Sequence, residues 1–202
     1  MLDDIDPFSL QYRLGGVIHG IIDFAGRIRR VPALLANGFA RNPRIKKGYR
    51  YLGRFAELLS SLMSELAREL VRDGEGATKV IEIAVEEART LGDAQKVAYA
   101  IANSNLVKTA FFGGDPNWGR IISAAGSAGI PLPVDQVRLF FEDVPVFSGG
   151  KGVAGREAEL AGVMNKTQIR VRLGLGMGRR SWTLFAADLS FDYVKINAHY
   201  HT

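Results

Sequence analysis

The sequence predicts an α/β protein of α+β-like layers, with helices packed on a mixed, largely antiparallel sheet. Three patterns predict it. Apolar residues recur at three- and four-residue steps from Phe55 to Leu70, the stripe of an amphipathic helix. Val80 to Val85 alternates apolar and polar positions, as a half-buried strand does. Gln168–Leu175 and Trp182–Leu189 alternate in the same manner and read as antiparallel strands with one covered face.

Taken in order, residues 1–50 are the least regular. Leu10, Leu14, Val17, Ile18, Ile21 and Ile22 have a loosely helical spacing, but Gly15, Gly16 and Gly20 each weaken a helix by about 1 kcal/mol relative to Ala. Pro32 and Asn42-Pro43 then punctuate the segment. From Phe55 the stripe comprises Phe55, Leu58, Leu59, Leu62, Met63, Leu66 and Leu70, with Glu57, Glu65, Arg68, Glu69 and Arg72 on the other faces. Gly74 stands where the residue after a helix C-cap belongs. In the strand that follows, Ile81, Ile83 and Val85 share one face and Glu82 takes the other. Asp93 is suited to cap a second helix through about Ala102, with Val97, Ala98 and Ile101 inward.

Leu106 to Phe112 reads as extended and buried, and Asp115-Pro116 as the N-cap and first position of a helix through about Ala125. Val137–Phe141 and Val144–Phe147 read as paired strands, and residues 155–164 as a short helix. There is no internal repeat and no low-complexity stretch.

A chain of 202 residues, 47% hydrophobic and 23% charged, can bury a sizeable core. It reads as a single region, divisible into lobes at about 1–130 and 131–202. No apolar run is long enough to span a bilayer, and the acidic start, Met1-Leu-Asp-Asp-Ile-Asp6, is unlike a signal or transit peptide. Zero cysteines removes disulfides, thiolate catalysis and Cys-ligated zinc together. A cytoplasmic setting is expected, or the mitochondrial matrix in a eukaryote. The net charge is +5, and nine Lys or Arg but no acid lie between Arg27 and Arg54. No helix-turn-helix, RNA-binding or zinc-finger pattern accompanies them. A solvated basic face, or a contact with another chain, is therefore expected in preference to nucleic acid.

Three segments carry candidate chemistry. In Asp73-Gly-Glu-Gly-Ala-Thr-Lys79 a carboxylate sits between two glycines after a helix and before a strand, so Glu75 could receive an amino group. A plain helix-stop turn accounts for the same residues. In Gly113–Arg120, Asp115 serves as a cap and Trp118 as a packing anchor. Arg120 falls on the first turn of the helix, where the dipole disfavours a cation unless an acidic partner or a substrate carboxylate answers it. In the tail Asp188–Thr202, Tyr193, Lys195 and Asn197 would face one way on an extended strand. Asn197 and Thr202 offer neutral donors and acceptors suited to the polar ends of an amino acid. His199 and His201 have too little company for a metal site, since His19 is the only other histidine. No serine has nucleophile-elbow context, and Gly174-Leu-Gly-Met-Gly178 opens no convincing helix, so it is no dinucleotide fingerprint.

Taken together, DGEGATK at 73–79, AIANSNLVKTAFFGGDPNWGRI at 100–121 and DLSFDYVKINAHYHT at 188–202 resemble the β chain of the ornithine acetyltransferase (glutamate N-acetyltransferase) family of arginine biosynthesis. The likeness runs from about Pro32 to Thr202, with the three segments in the family's order and spacing. The resemblance implies that family's β-chain fold and a precursor that cuts itself before a threonine. The new N-terminal Thr takes the acetyl group from N2-acetylornithine and passes it to glutamate, and some members also accept acetyl-CoA. It implies no cofactor and no metal. It further implies an α chain that donates the oxyanion hole, and assembly into a heterotetramer of two α and two β chains. Glu75 would bind the substrate's amine, and Asn197 and Thr202 would hold its polar end from the tail.

Two departures stand out. The family's nucleophilic Thr is followed by Met-Leu, and this chain opens on Met1-Leu2, so the nucleophile is expected immediately before Met1. Thr78, the first threonine, belongs to the substrate-turn motif and does not replace it. Leu35-Ala-Asn-Gly38 is kept, but the atypical segment within 18–32, Asp23 to Pro32, is basic and shorter where the family is acidic and hydroxyl-rich. The chain by itself is therefore expected to be inactive. A catalytically inactive fragment or paralogue, acting as an amino-acid-binding or interaction module, is the alternative.

Overall fold

The structure, a computed structural model, describes the backbone of His19–Ile21 and residues 48–199. In chain order its elements are β1 (His19–Ile21), α1 (Leu52–Arg72), β2 (Val80–Ala88), α2 (Leu91–Ala102), α3 (Asn105–Phe112), α4 (Trp118–Gly126), β3 (Arg138–Phe141), β4 (Val144–Ser148), β5 (Lys151–Gly152), α5 (Glu157–Met164), β6 (Gln168–Gly174), β7 (Arg180–Ala187) and α6 (Phe191–Ala198). The strands form one sheet in the order β1-β7-β2-β6-β3-β4-β5. Only the β1–β7 and β2–β6 pairs are parallel, so the sheet is mixed and largely antiparallel.

Period-two alternation decides what each face of the sheet buries. Ile81, Ile83 and Val85 of β2 stand opposite Ile169, Val171 and Leu173 of β6, and opposite Ala186, Leu184 and Trp182 of β7. That face is covered by α2, α3, α4 and α5, whose Val97, Ile101, Phe111, Ile121 and Leu160 join the same core. Burying side chains of this size stabilises by about 1.5–3 kcal/mol each. The opposite face holds a smaller core, Val80 and Phe185 against Ala67 and Val71 of α1. Next to it the surface turns polar, with Arg170 Nε 3.2 Å from Glu82 and the Arg172 guanidinium over the Phe140 ring.

Several local expectations are corrected. Leu106–Phe112 is not extended: it lies in α3, because Ser104 caps it by accepting from Val107 N (3.4 Å). Val107, Ala110 and Phe111 then bury one helical face while Leu106 stays 64% exposed. The cap of α4 is Asn117 rather than Asp115, its Oδ1 accepting from Arg120 N at 3.1 Å. Asp115 instead accepts from the Asn117 amide (3.0 Å). Thr90, not Asp93, caps α2, its Oγ1 accepting from Asp93 N.

β6 and β7 are not partners of each other, since β2 lies between them. The tail residues 191–198 are helical rather than extended, because Ser190 caps α6 by accepting from Tyr193 N (3.1 Å). Residues 19–21, in the segment whose glycines were expected to weaken any helix, pair in parallel along the edge of β7. The rest of the 18–32 segment, Leu35–Gly38, His201 and Thr202 lie outside the described residues.

Candidate functional site

The turn between α1 and β2 is bolted to the segment that follows β7. Antiparallel pairing sets Val80 opposite Ala187, which brings Thr78 and Lys79 beside Asp188. Asp188 is 4% exposed, and its carboxylate accepts from Thr78 N (2.9 Å), from Lys79 N (3.0 Å) and from the Thr78 hydroxyl. A buried carboxylate with three donors is a satisfied one. Two residues on, the buried Ser190 donates its hydroxyl to Gly76 O (2.5 Å) while capping α6. Gly76 has φ +65, and a Cβ there would lie 2.5 Å from Tyr193 N. Glycine is needed for both its conformation and its closeness.

This clasp presents Glu75 to α6. Asn197 Nδ2 lies 3.4 Å from Glu75 Oε2 and 2.9 Å from Tyr193 O. Tyr193 and Asn197 are one helical turn apart, so α6 places them on one face, which the extended reading could not do without Lys195. Both Glu75 and Asn197 are exposed, open to a ligand from solvent. The structure thus brings two of the expected site residues together.

The middle segment joins through main-chain groups. Leu189 N donates to Lys108 O (3.3 Å), and the Phe112 ring meets the Phe191 ring edge-on at 5.4 Å. Lys79 Nζ reaches the ends of two helices, Phe111 O at 2.7 Å and Met164 O at 2.8 Å. All three segments therefore converge, held by Asp188, Ser190 and Lys79. Local pattern gave these residues no role, because an Asp, a Ser and a Lys carry no such signal until strand pairing gathers them.

Trp118 is a packing anchor. Its ring packs against Phe147 at a tilt of 36°, the centroids 5.2 Å apart, and a Cβ on Gly152 would lie 2.7 Å from it. Arg120 Nη1 donates to Leu106 O (2.8 Å) and Thr109 Oγ1 (3.4 Å), neutral oxygens where an acid or a substrate was expected. An open cleft of about 570 Å³ beside it is lined by Asn103, Ser104, Asn117, Ser123 and Ser127. Among the described residues no group of three or more His, Asp or Glu could hold a metal ion, and no helix is long and apolar enough to cross a membrane.

Comparison with known proteins identifies the family. The ArgJ family model matches residues 31–202. The arginine biosynthesis bifunctional protein ArgJ of Geobacter sulfurreducens is 46% identical over 170 residues, covering 84% of this chain and 43% of that protein. The protein of the same name from Syntrophotalea carbinolica is 44% identical over 204 residues, covering 98% of this chain and 52% of the relative. The chain thus spans about half the length of the curated relatives it matches. The crystal structure of arginine biosynthesis bifunctional protein ArgJ from Bacillus halodurans superposes with a TM-score of 0.81 at 28% identity, covering 96% of this chain and 90% of that one. With more than two thirds of its length matched by the family model, the chain belongs to the ArgJ family, the one its three segments resemble.

Proposed function

We propose that this chain is the β portion of a glutamate N-acetyltransferase that moves an acetyl group from N2-acetyl-L-ornithine to L-glutamate. The observation that carries this is the meeting of Glu75 and Asn197, residues 122 apart in sequence, at 3.4 Å on an exposed surface. The carboxylate of Glu75 binds the substrate's amine by a charge-assisted hydrogen bond. Asn197, tethered to Tyr193 O, orients that carboxylate and, with Thr202, holds the substrate's polar end.

The nucleophile is a threonine preceding Met1, and the oxyanion donors belong to an α chain. In the first half-reaction the threonine hydroxyl attacks the acetyl carbonyl. The carbon–nitrogen bond breaks, and the proton lost by oxygen leaves on the ornithine amine. In the second half-reaction the glutamate amine attacks the acetyl ester, and the proton returns to the threonine oxygen. Donated N–H groups stabilise the oxyanion in both. Both steps are acyl transfers at a hydroxyl, so the reading includes no cofactor or metal. Acetyl-CoA as a second donor, and a heterotetramer of two α and two β chains in the cytoplasm, complete it.

The test is acetyl transfer from N2-acetylornithine to glutamate, with the chain alone and with an α partner. Turnover is expected only with the partner, and Glu75→Ala in that complex is expected to abolish it while circular dichroism stays unchanged. Turnover by the chain alone overturns the placement of the nucleophile. Amino-acid binding without turnover in the complex leaves a binding module instead. Release of free CoA from acetyl-CoA, with glutamate as acceptor, settles donor breadth.

A further inference from the structure

Lys79 occupies an unusual position for a lysine at the start of a central strand. Its main chain faces one way: its N–H donates to Asp188 Oδ1 (3.0 Å), and its carbonyl accepts from Asp188 N (3.3 Å). Its side chain runs the other way, and the ammonium sits between Phe111 O (2.7 Å) and Met164 O (2.8 Å). Both carbonyls are among the last four of their helices, α3 and α5, so neither has a partner further along its own helix ladder. The negative ends of two helix dipoles thus point at one place, where a cation is the group that reconciles them. Phe111 O also closes the Gly113-Gly114 turn by accepting from Gly114 N (3.2 Å). One residue therefore fastens the middle segment of the chain to the strand that begins just after the Glu75 turn.

We infer that Lys79 is a positioning residue for Glu75, which rests on the reading of Glu75 as the amine-binding group. The turn is closed by Ala77 N donating to Gly74 O (3.0 Å) and is pinned at Thr78 by Asp188. The height of that pinned end above α3 and α5 is set by the Lys79 ammonium. Without it, the ends of α3 and α5 lose the cation they share, the main chain at Lys79 just before β2 shifts, and the displacement is delivered to the carboxylate four residues upstream. A displaced carboxylate lengthens its charge-assisted hydrogen bond to the substrate's amine, which weakens substrate binding.

The experiment has two arms, each run on Lys79→Met. In the first, hydrogen exchange is measured on the chain alone, where no substrate or partner is involved. The amides of Ala77 and Thr78 are expected to exchange at least tenfold faster, with β2 and β6 unchanged. Unaltered protection at those amides, or a uniform rise across the whole sheet, overturns the inference.

In the second arm, acetyl transfer is measured on the complex with the α portion, with Glu75→Gln alongside. Lys79→Met is expected to raise KM for N2-acetylornithine at least tenfold with kcat within threefold of the parent. A residue that only stabilises the fold would lower kcat by reducing the folded fraction and leave KM alone, and that result overturns the inference. If Glu75→Gln itself leaves KM unchanged, the reading of the substrate site is what fails. If Lys79→Met does not fold, Lys79→Gln, whose amide keeps N–H donors for the carbonyls but removes the charge and shortens the reach, takes its place in both arms.

Discussion

Asp188 and Thr78 are joined twice, the carboxylate accepting both the main-chain N–H and the side-chain hydroxyl of the threonine. This double link fixes the angle at which the chain leaves the Glu75 turn and enters β2. It also gives the last strand of the sheet a say in the shape of the turn before its central strand.

Asp188→Ala leaves the N–H groups of Thr78 and Lys79 and the Thr78 hydroxyl without their acceptor. Each orphaned group costs about 1–3 kcal/mol where water cannot replace the partner. Thr78 is exposed and regains some water, so the expected loss is about 3 kcal/mol in urea unfolding. Asp188→Asn retains one acceptor oxygen and is expected to lose about half as much. A loss below about 0.5 kcal/mol for the alanine variant, the range of an ordinary surface change, refutes the role given to Asp188.

Gly76→Ala meets two obstacles, a left-handed backbone at φ +65 and the main chain of Tyr193 at 2.5 Å. Gly114, with φ +68 and open space around it, meets only the first. The Gly114→Ala variant is expected to cost about 1 kcal/mol, the strain term alone. Gly76→Ala should cost about 2–3 kcal/mol, lowering the melting temperature by roughly 4–12 °C for a chain of this size. Equal melting temperatures for the two variants would show that α6 does not press on the turn.

Gly152→Ala drives a methyl group into the Trp118 ring at 2.7 Å. Overpacking of this kind typically costs about 1–3 kcal/mol. Trp118→Leu is expected to relieve it, so the double variant should be more stable than the sum of the single ones by about 1 kcal/mol or more. Strict additivity in a double-mutant cycle on the unfolding free energy counts against the stacking of Trp118 on Gly152.

β2 was legible because burial imposes a rhythm on it, whereas α1 was legible from its stripe although Phe55, Leu58, Leu62 and Leu66 are exposed and only Ala67 and Val71 of the helix are buried among the described residues. α1, with a long stripe, and β2, with its one-sided alternation, stand where expected. α3 was not, since Leu106 to Phe112 sets five apolar residues around Lys108 and Thr109 and is too short for its spacing to separate helix from strand. α6 was misread for the opposite reason. None of its residues is buried, so no rhythm is imposed, and β-branched and aromatic residues suggest a strand that the Ser190 cap overrides. Strand order was out of reach, because nothing local records that β2 separates β6 from β7. Glu75 and Asn197 were singled out by resemblance and are found as neighbours, while Asp188 and Lys79 needed the topology before their partners could be seen.

The antiparallel pairing of β2 with β7 has a consequence for how the molecule comes into being. Val80 must wait for Ala187, more than a hundred positions later, before it has that neighbour. Contacts so far apart along the chain form slowly and late. Until Ala187, Asp188 and Ser190 have left the ribosome, the Glu75 turn keeps its local Ala77–Gly74 bond but lacks the long-range contacts to those residues that hold its far end.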